Sequence, residues 1–548
     1  MGVRAQPAIQ RVPRRRRRSP RRRFRHSTDR ACPGGDLTVL GRTYAVSLVG
    51  MNGHIVEVEA DIGQTLPAFV LLGLPDASLN EAKDRIRAAA RNAGVPLSRR
   101  KITVNLIPAS LPKRGSAFDL AIVMSALAAA GDVRGCGSTV FIAELGLDGQ
   151  LRPVHGVLPA VMAAVEAGHH RIVVAEENEA EAALVPAAEV RAFQTLADVA
   201  VAFGAEVGDV DRPDPSIRTG AMTRVLPSAP LKDLSDIAGQ QEARFALEIA
   251  AAGAHHLLMM GPPGAGKTML AERLPGILPD LEDDHAMEVT AIHSLSGDRH
   301  CAELVRKPPF ESPHHTATPA SIIGGGSGIP RPGAASRAHR GILFLDEAPE
   351  YERRVLEALR EPLESGRLVL HRASGTASYP ARFQLVLALN PCPCGLANGK
   401  GIDCLCTAQQ RRRYFNRLSG PLLDRVDLQV VVQRVSLADY AGGTSAETSA
   451  VVAARVAGAR AAQRSRLRRW NYTTNSEVQG RILRGDLALP RKVTASLDKA
   501  LDRSLVSARG WDRVLRVAWT ISDLAGRDTP EADDVVTALG FRLQESAQ

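Results

Sequence analysis

The segment HHLLMMGPPGAGKTML, residues 255–270, constrains the fold more than any other part of this chain. Four apolar residues, 257–260, read as a buried strand. Gly261, Pro262, Pro263, Gly264, Ala265, Gly266, Lys267 and Thr268 then satisfy G-x-x-x-x-G-K-[ST] ahead of a helical run. Such a loop needs a strand to deliver it and a helix to receive it. Its glycines let backbone N–H groups curl around phosphate oxygens, and the helix N-terminus adds its dipole. On this reading Lys267 bridges the β- and γ-phosphates of a bound nucleotide and the Thr268 hydroxyl ligates Mg²⁺. A chance glycine-rich turn is the alternative, but strand, loop and helix signals coincide. An α/β fold is expected.

Further along, GILFLDEAPE sets a buried strand at 342–345 ahead of Asp346 and Glu347. Two carboxylates at the end of an apolar strand need a reason to be there, and a P-loop supplies one. Asp346 is expected to hold Mg²⁺ through water, and Glu347 to orient and deprotonate the attacking water. Hydrolysis, rather than nucleotide binding alone, is the natural inference. A third apolar strand, 383–389, ends in Asn390, whose amide suits positioning that same water. Alone, an Asn at a strand end is a turn former.

The chain has 548 residues, 45% hydrophobic and 23% charged, ordinary proportions for a globular protein. That length has room for about three domains. No uncharged apolar run reaches the roughly 20 residues that cross a bilayer, which excludes an integral membrane protein. Seven cysteines without an apolar leader ahead of them point to a reducing compartment, read as the cytoplasm. The net charge of +10 resembles a nucleic-acid signature until it is located: residues 1–30 hold 12 arginines and one aspartate, and the remainder sums to −1. Residues 1–38 read as a disordered arginine-rich extension, either a nucleic-acid contact or dispensable. Strand-like and helical runs alternate over 39–205, an α/β unit. An Asp/Pro/Gly/Ser-rich linker follows at 206–230, then a nucleotide-type α/β core at 231–435 and a helical region at 436–548.

Taken together, these segments resemble the AAA+ ATPases, specifically the magnesium-chelatase-like branch that includes the ComM/YifB family. The motifs that carry the likeness are SPHHTATPASIIGGGSGIPRPG (312–333), GILFLDEAPE, ALNPCPCG (388–395), RLSGPLLDRVDL (417–428) and SARGWDRVLRVAWTISDLAG (507–526). The resemblance implies ATP and Mg²⁺ as cofactors and a helical carboxy-terminal lid. It assigns Asn390 as sensor 1, Arg425 as an arginine finger acting on the neighbouring subunit's γ-phosphate, and Arg509 as sensor 2, with Arg513 as its substitute. A finger in trans implies a homo-oligomeric ring, a hexamer in this family. It further implies DNA, branched or single-stranded, as the partner, and branch migration during recombination and natural transformation as the activity. A chelatase-type or protein-remodelling ATPase is the alternative. Against the chelatase stands the amino-terminal domain, which the chelatase ATPase subunits are expected to lack.

That domain resembles the S5-like fold of the Lon protease domain through LPKRGSAFDLAI and GQLRPVHGVLPAVMAAVEAGHHRIVVAEEN. Lon-type hydrolysis needs a serine activated by a lysine. Ser116 stands one residue short of the family spacing, Leu158 occupies the place of the lysine, and Lys113 matches a non-catalytic position. No protease dyad is expected.

Cys392, Cys394, Cys404 and Cys406 form two C-x-C pairs directly after Asn390, and four thiolates in one loop fit a structural Zn²⁺. Free thiols are the alternative, since C-x-C is tighter than the usual spacing. Cys32, Cys136 and Cys301 are scattered and read as inert. The run 367–383 reads as a β-hairpin and 324–333 as a glycine-rich loop, both candidates for sequence-independent contact with DNA phosphates. His314 and His315, being adjacent, diverge too far to share a metal and read as capping or loop packing.

Overall fold

Gly41–Val49 (β1) and Asn52–Gly63 (β2) fold back on each other, from Gly41 opposite Ala60 to Val49 opposite Asn52. Val56, Val58 and Ala60 of β2 are buried, while Glu57, Glu59 and Asp61 between them stay partly exposed. That period of two gives the sheet one strongly apolar face. Phe69–Leu72 (β3), Lys101–Ile107 (β4), Thr139–Ile142 (β5), Arg171–Ala175 (β6) and Glu189–Phe193 (β7) complete a mixed sheet in the order β3-β4-β2-β1-β5-β6-β7. Ala77–Asn92 (α1) and Asp119–Ala130 (α2) cover one face, and Val157–Glu166 (α3) covers the other. The run from Asp119 to Leu127 is buried throughout, as an apolar helix enclosed by its neighbours must be.

The computed structural model describes residues 40–543 apart from 74–76, 114, 209–230, 298–300, 327–329, 373–374, 398–403 and 436–446. The arginine-rich extension and nearly all of the expected linker lie outside the described residues.

Gln241–Gly253 (α4) precedes the second sheet, which holds Leu257–Met260 (β8), Phe310–Glu311 (β9), Ile342–Leu345 (β10), Gln384–Leu389 (β13) and Leu428–Val431 (β14). The order is β9-β10-β13-β8-β14, and every pairing is parallel. All residues of β8, β10 and β13 are buried, the continuous apolar pattern of a parallel sheet covered on both faces. Arg367–Arg372 (β11) and Gly375–Pro380 (β12) make the expected hairpin, whose turn residues 373–374 are not among those described.

The two sheets are joined by packing. The N–H of Gly156 donates to the carbonyl of Ser294, at 3.2 Å, on Asp283–Ser296 (α6), and Ala291 of that helix is buried with Val157 and Val161 of α3. Gly50, at φ 65° in the β1–β2 turn, lies so close to the hairpin that a Cβ would stand 2.9 Å from the Ser378 carbonyl oxygen. The carboxy-terminal part is helical: Ser449–Leu467 (α8), Arg491–Asp502 (α9), Ala508–Leu524 (α10) and Ala532–Leu543 (α11) share one apolar cluster with α4 and β8. Among the described residues no helix is long and apolar enough to cross a membrane.

One polar clasp crosses that helical cluster. Arg466 of α8 holds both oxygens of the fully buried Asp523 of α10, at 2.6 and 2.7 Å, and its guanidinium stacks over Trp519. Asn475 adds a bond to the same carboxylate at 2.9 Å. Arg466→Ala would strand a buried charge, and the expected loss is about 3–5 kcal/mol. A fall in the denaturant midpoint of the purified chain checks this; an unchanged midpoint would show that the clasp contributes nothing.

Candidate nucleotide site

Strand register places the expected site residues. Met260 of β8 stands opposite Leu389 of β13, and Leu345 of β10 opposite Leu387, so Gly261, Asp346 and Asn390 leave the sheet along one rim. The Gly261 N–H donates to the Leu389 carbonyl at 3.1 Å and ties the start of the P-loop to the strand ending at Asn390. Gly264 and Gly266 take φ 76° and 92°, the left-handed region that favours glycine. Gly261 is needed for space, since a Cβ there would lie 2.2 Å from the carbonyl oxygen of Val432.

Lys267 opens the short helix Lys267–Ala271 (α5) with its ammonium buried. It donates to the carbonyls of Gly261 at 2.7 Å and Pro262 at 3.1 Å, and to Asn390 Oδ1 at 3.1 Å. Burial draws its pKa down, and Asp346 and Glu347 partly offset that. Its three donors thus meet two P-loop carbonyls and the Asn390 side chain, oxygen partners of the kind that phosphate oxygens replace. The Thr268 hydroxyl donates to Asp346 Oδ2 at 2.7 Å, which sets two hard oxygen ligands side by side and fits Mg²⁺. Glu347 follows at φ 50°, a left-handed conformation that costs a residue with a Cβ of order 1 kcal/mol or more.

A contact with Glu347 was not legible in the sequence. His315 Nδ1 lies 3.2 Å from Glu347 Oε2, and its ring lies tilted against that of His314, with centroids 4.1 Å apart. The expectation of loop packing holds for His314, whose Nδ1 meets the Thr316 hydroxyl at 2.8 Å. His315 instead touches the proposed base, because β9 runs beside β10 and delivers residues 312–315 to the same rim.

Arg425 and Arg509 are elsewhere. Leu257 pairs with Leu428 and Met260 with Val431, so Arg425, just ahead of β14, stands at the amino ends of the strands. The strands alone separate it from the P-loop rim by roughly 10 Å. Arg425 is nearly buried, contacts Glu364 and donates to the Pro421 carbonyl at 2.5 Å. Burial, then the nearby charges of Arg360, Arg513 and Arg509, lower its pKa. Arg509 is mostly exposed, 3.7 Å from Asp424, and Arg513 donates to Asp427 at 2.6 Å and to the Arg425 carbonyl at 3.0 Å. Burial alone would raise Asp427, but Arg513 and His255 outweigh it and hold that carboxyl well below its usual range. Burial pushes His256 down to about 4, so it stays neutral and accepts the Leu385 N–H at 3.0 Å. The structure therefore gathers Arg425, Arg509 and Arg513 into one basic group on the edge away from their own P-loop.

Comparison with known proteins agrees with this geometry. Residues 233–440 match the model for magnesium chelatase, subunit ChlI; residues 58–178 match that for subunit ChlI of Mg-chelatase; and residues 446–542 match the ChlI C-terminal model. The chain is 41% identical to competence protein ComM of Haemophilus influenzae, over 92% of this chain and 97% of that one. It is 40% identical to YifB of Escherichia coli, over 90% and 95% of the two chains, and 49% identical to an uncharacterised protein of Mycobacterium tuberculosis, over 92% and 98%. The chain belongs to the ComM/YifB family of magnesium-chelatase-like AAA+ ATPases. Membership brings ATPase activity and the use of nucleotide and Mg²⁺. A model named for the chelatase subunit matches 58–178 within the amino-terminal domain, whereas the magnesium-chelatase 38 kDa subunit of Rhodobacter capsulatus matches 32% of this chain, at 29% identity.

Two further groups lie outside the nucleotide rim. The four expected cysteines converge, with all four sulfurs within 4.8 Å of one another. The Leu396 N–H and the neighbouring thiols draw Cys394 down to about 6. Of the other cysteines, Cys136 and Cys301 are buried, and burial pushes the Cys136 thiol up to about 12; Cys32 lies outside the described residues. In the amino-terminal sheet, buried Lys113 donates to the carbonyls of Gly73, Pro108 and Leu111, Ser116 contacts Glu144, and Leu158 is buried in apolar packing. Lys113 is thus held by three carbonyls, and the position expected for a catalytic lysine is the apolar Leu158.

Gly261→Ala forces a Cβ against a backbone carbonyl. Nucleotide affinity is expected to fall at least about tenfold, as measured by titration with a fluorescent ATP analogue; unchanged binding would show that the loop can be displaced at no cost.

Proposed function

We propose that the chain is an ATP-driven ring motor acting on DNA, a branch-migration helicase of the ComM type that serves recombination and natural transformation. The observation that carries the ring is the split of the hydrolytic groups between opposite edges of one sheet. Lys267 and the N–H groups of 261–266 hold the phosphates, and Thr268 and Asp346 hold Mg²⁺. Glu347 orients the attacking water and takes its proton, with Asn390 beside it as sensor 1. When bound, Mg²⁺ neutralises charge on the β- and γ-phosphate oxygens. Arg425 and Arg509 reach a γ-phosphate only in a neighbouring subunit, which supports a homo-oligomer, hexameric in the family pattern; the free cysteines among the described residues fit a cytoplasmic location. Their common location supports delivery of finger and sensor 2 together, with Arg513 anchored between them.

The DNA reading rests on the family likeness and on two insertions that touch each other. Gly324 and Gly325 pair with Pro332 and Arg331, and a Cβ on Gly324 would meet Leu370 of the hairpin at 3.0 Å. The Tyr379 hydroxyl donates to the Pro330 carbonyl. Contact at one insertion is therefore felt at the other. The segment 324–333 follows His315 after the short helix Pro319–Ile323, which supports a link between a DNA strand gripped there and the contact at Glu347. The amino-terminal sheet serves as an S5-like module without a protease dyad, and 449–543 as the lid. The four cysteines fit one structural Zn²⁺. A chelatase-type remodeller is the second reading, favoured by the chelatase models that match three stretches of the chain.

Steady-state ATP hydrolysis, measured with and without branched, single-stranded and duplex DNA at two salt concentrations, tests the choice. Stimulation that weakens with salt is expected for a phosphate-gripping motor; indifference to every DNA favours the remodeller. Glu347→Gln should keep ATP binding and lose turnover by several orders of magnitude. Arg425→Ala should do the same, yet regain turnover when mixed with Lys267→Ala subunits; no rescue at any mixing ratio defeats the trans assignment.

A further inference from the structure

Four thiol groups this close call for an occupant. The distances are 3.2 Å from Cys392 to Cys394, 3.6 Å from Cys392 to Cys404 and 3.7 Å from Cys394 to Cys404. A tetrahedral metal with bonds of about 2.3 Å to sulfur sets neighbouring sulfurs roughly 3.8 Å apart. All four cysteines are free rather than paired as disulfides. Soft sulfur donors in that arrangement fit Zn²⁺ or a similar thiophilic divalent ion.

The location matters more than the occupancy. Cys392 is fully buried two residues after Asn390, whose side chain accepts from Lys267. Gly395, at φ 75°, is pressed against the P-loop, and a Cβ there would lie 2.6 Å from Pro263 Cδ and Cγ. Cys406 abuts Thr407, the N-cap of Ala408–Phe415 (α7), where the Thr407 hydroxyl and the Gln410 side chain form a reciprocal capping box. That helix carries Tyr414, which is buried close to the Asn390 backbone. The loop closed by the four sulfurs thus meets the nucleotide site at three places: Asn390, Pro263 and the helix beneath Asn390.

We propose that the metal held by Cys392, Cys394, Cys404 and Cys406 assembles the nucleotide site, so that ATP affinity depends on its occupancy. The inference rests on the ATPase reading and on a thiolate-bound metal, and it goes beyond a structural knot. Among the described residues no ion pair or disulfide holds Gly395 against Pro263, so the ion is what ties that contact to the capped start of α7. Without it Asn390 and Lys267 lose their register, although the sheet beneath them stays intact.

The test uses the full chain purified from zinc-supplemented cells. Elemental analysis should find one zinc per chain, and Co²⁺ exchange should give the absorption of a four-thiolate tetrahedral site. The ion is stripped with a zinc-selective chelator, the protein is returned to Mg²⁺ buffer, and a fluorescent ATP analogue is titrated. Affinity should drop at least about tenfold and return with Zn²⁺ but not with extra Mg²⁺, while the far-ultraviolet circular dichroism spectrum is retained. Equal affinity of loaded and stripped chains overturns the proposal, as does absence of the cobalt spectrum. Gly395→Ala keeps the four thiols and should retain one zinc while binding the analogue weakly; tight binding by that variant also counts against the coupling. If the loaded chain itself binds no ATP but gives the cobalt spectrum, the ATPase reading fails and the coupling fails with it, whereas the metal site stands.

Discussion

The Lys267 ammonium is the point on which the site depends. It is buried, and its three donors reach two P-loop carbonyls and Asn390, so it fastens the end of β8 to the end of β13. A buried cation needs such partners, because desolvation without hydrogen bonds is costly. The partners exist only because the parallel strands are in register, with Met260 beside Leu389 and the Gly261 N–H on the Leu389 carbonyl. Changes in that register, or in the loop after Asn390, therefore reach the phosphate site directly.

The opposite edge of the sheet is organised by a different polar system. His256, Asp427 and Arg513 hold the amino ends of β8, β13 and β14 together, and the carbonyl of Arg425 is fixed by Arg513. Arg425, Arg509 and Arg513 stand beside Glu364, Asp424 and Asp427, and burial first, then the neighbouring arginines, lowers the pKa of Arg425. One sheet thus presents a donor-rich, phosphate-ready rim at one edge and a basic rim at the other, an arrangement suited to head-to-tail closure of a ring.

Much of the nucleotide rim was legible in the residues. Gly261 to Thr268, Asp346 and Glu347 announce themselves because apolar strands of four residues end in groups that make no sense without a phosphate and a metal. The hairpin at 367–380 and the apolar helices were equally readable from periodicity and turn residues. The contact of His315 with Glu347 was not, because its origin is the pairing of β9 with β10, two strands some thirty residues apart in sequence. Nor was the grouping of Arg509 and Arg513 with Arg425, which depends on how α10 packs against the strand ends. Lys113 looked idle in the sequence, and its three carbonyl partners explain its burial.

The sequence by itself determined the P-loop, the carboxylate pair, the α/β class and the four-cysteine set. Each is a local pattern whose chemistry is complete within about ten residues or within two facing C-x-C pairs. Only the tertiary structure decided which edge of the sheet each arginine occupies, that the cysteine loop presses on Pro263, and that the two insertions touch. Those facts follow from strand order and helix packing, where residues hundreds of positions apart become neighbours through buried apolar surface that carries no sequence-local label.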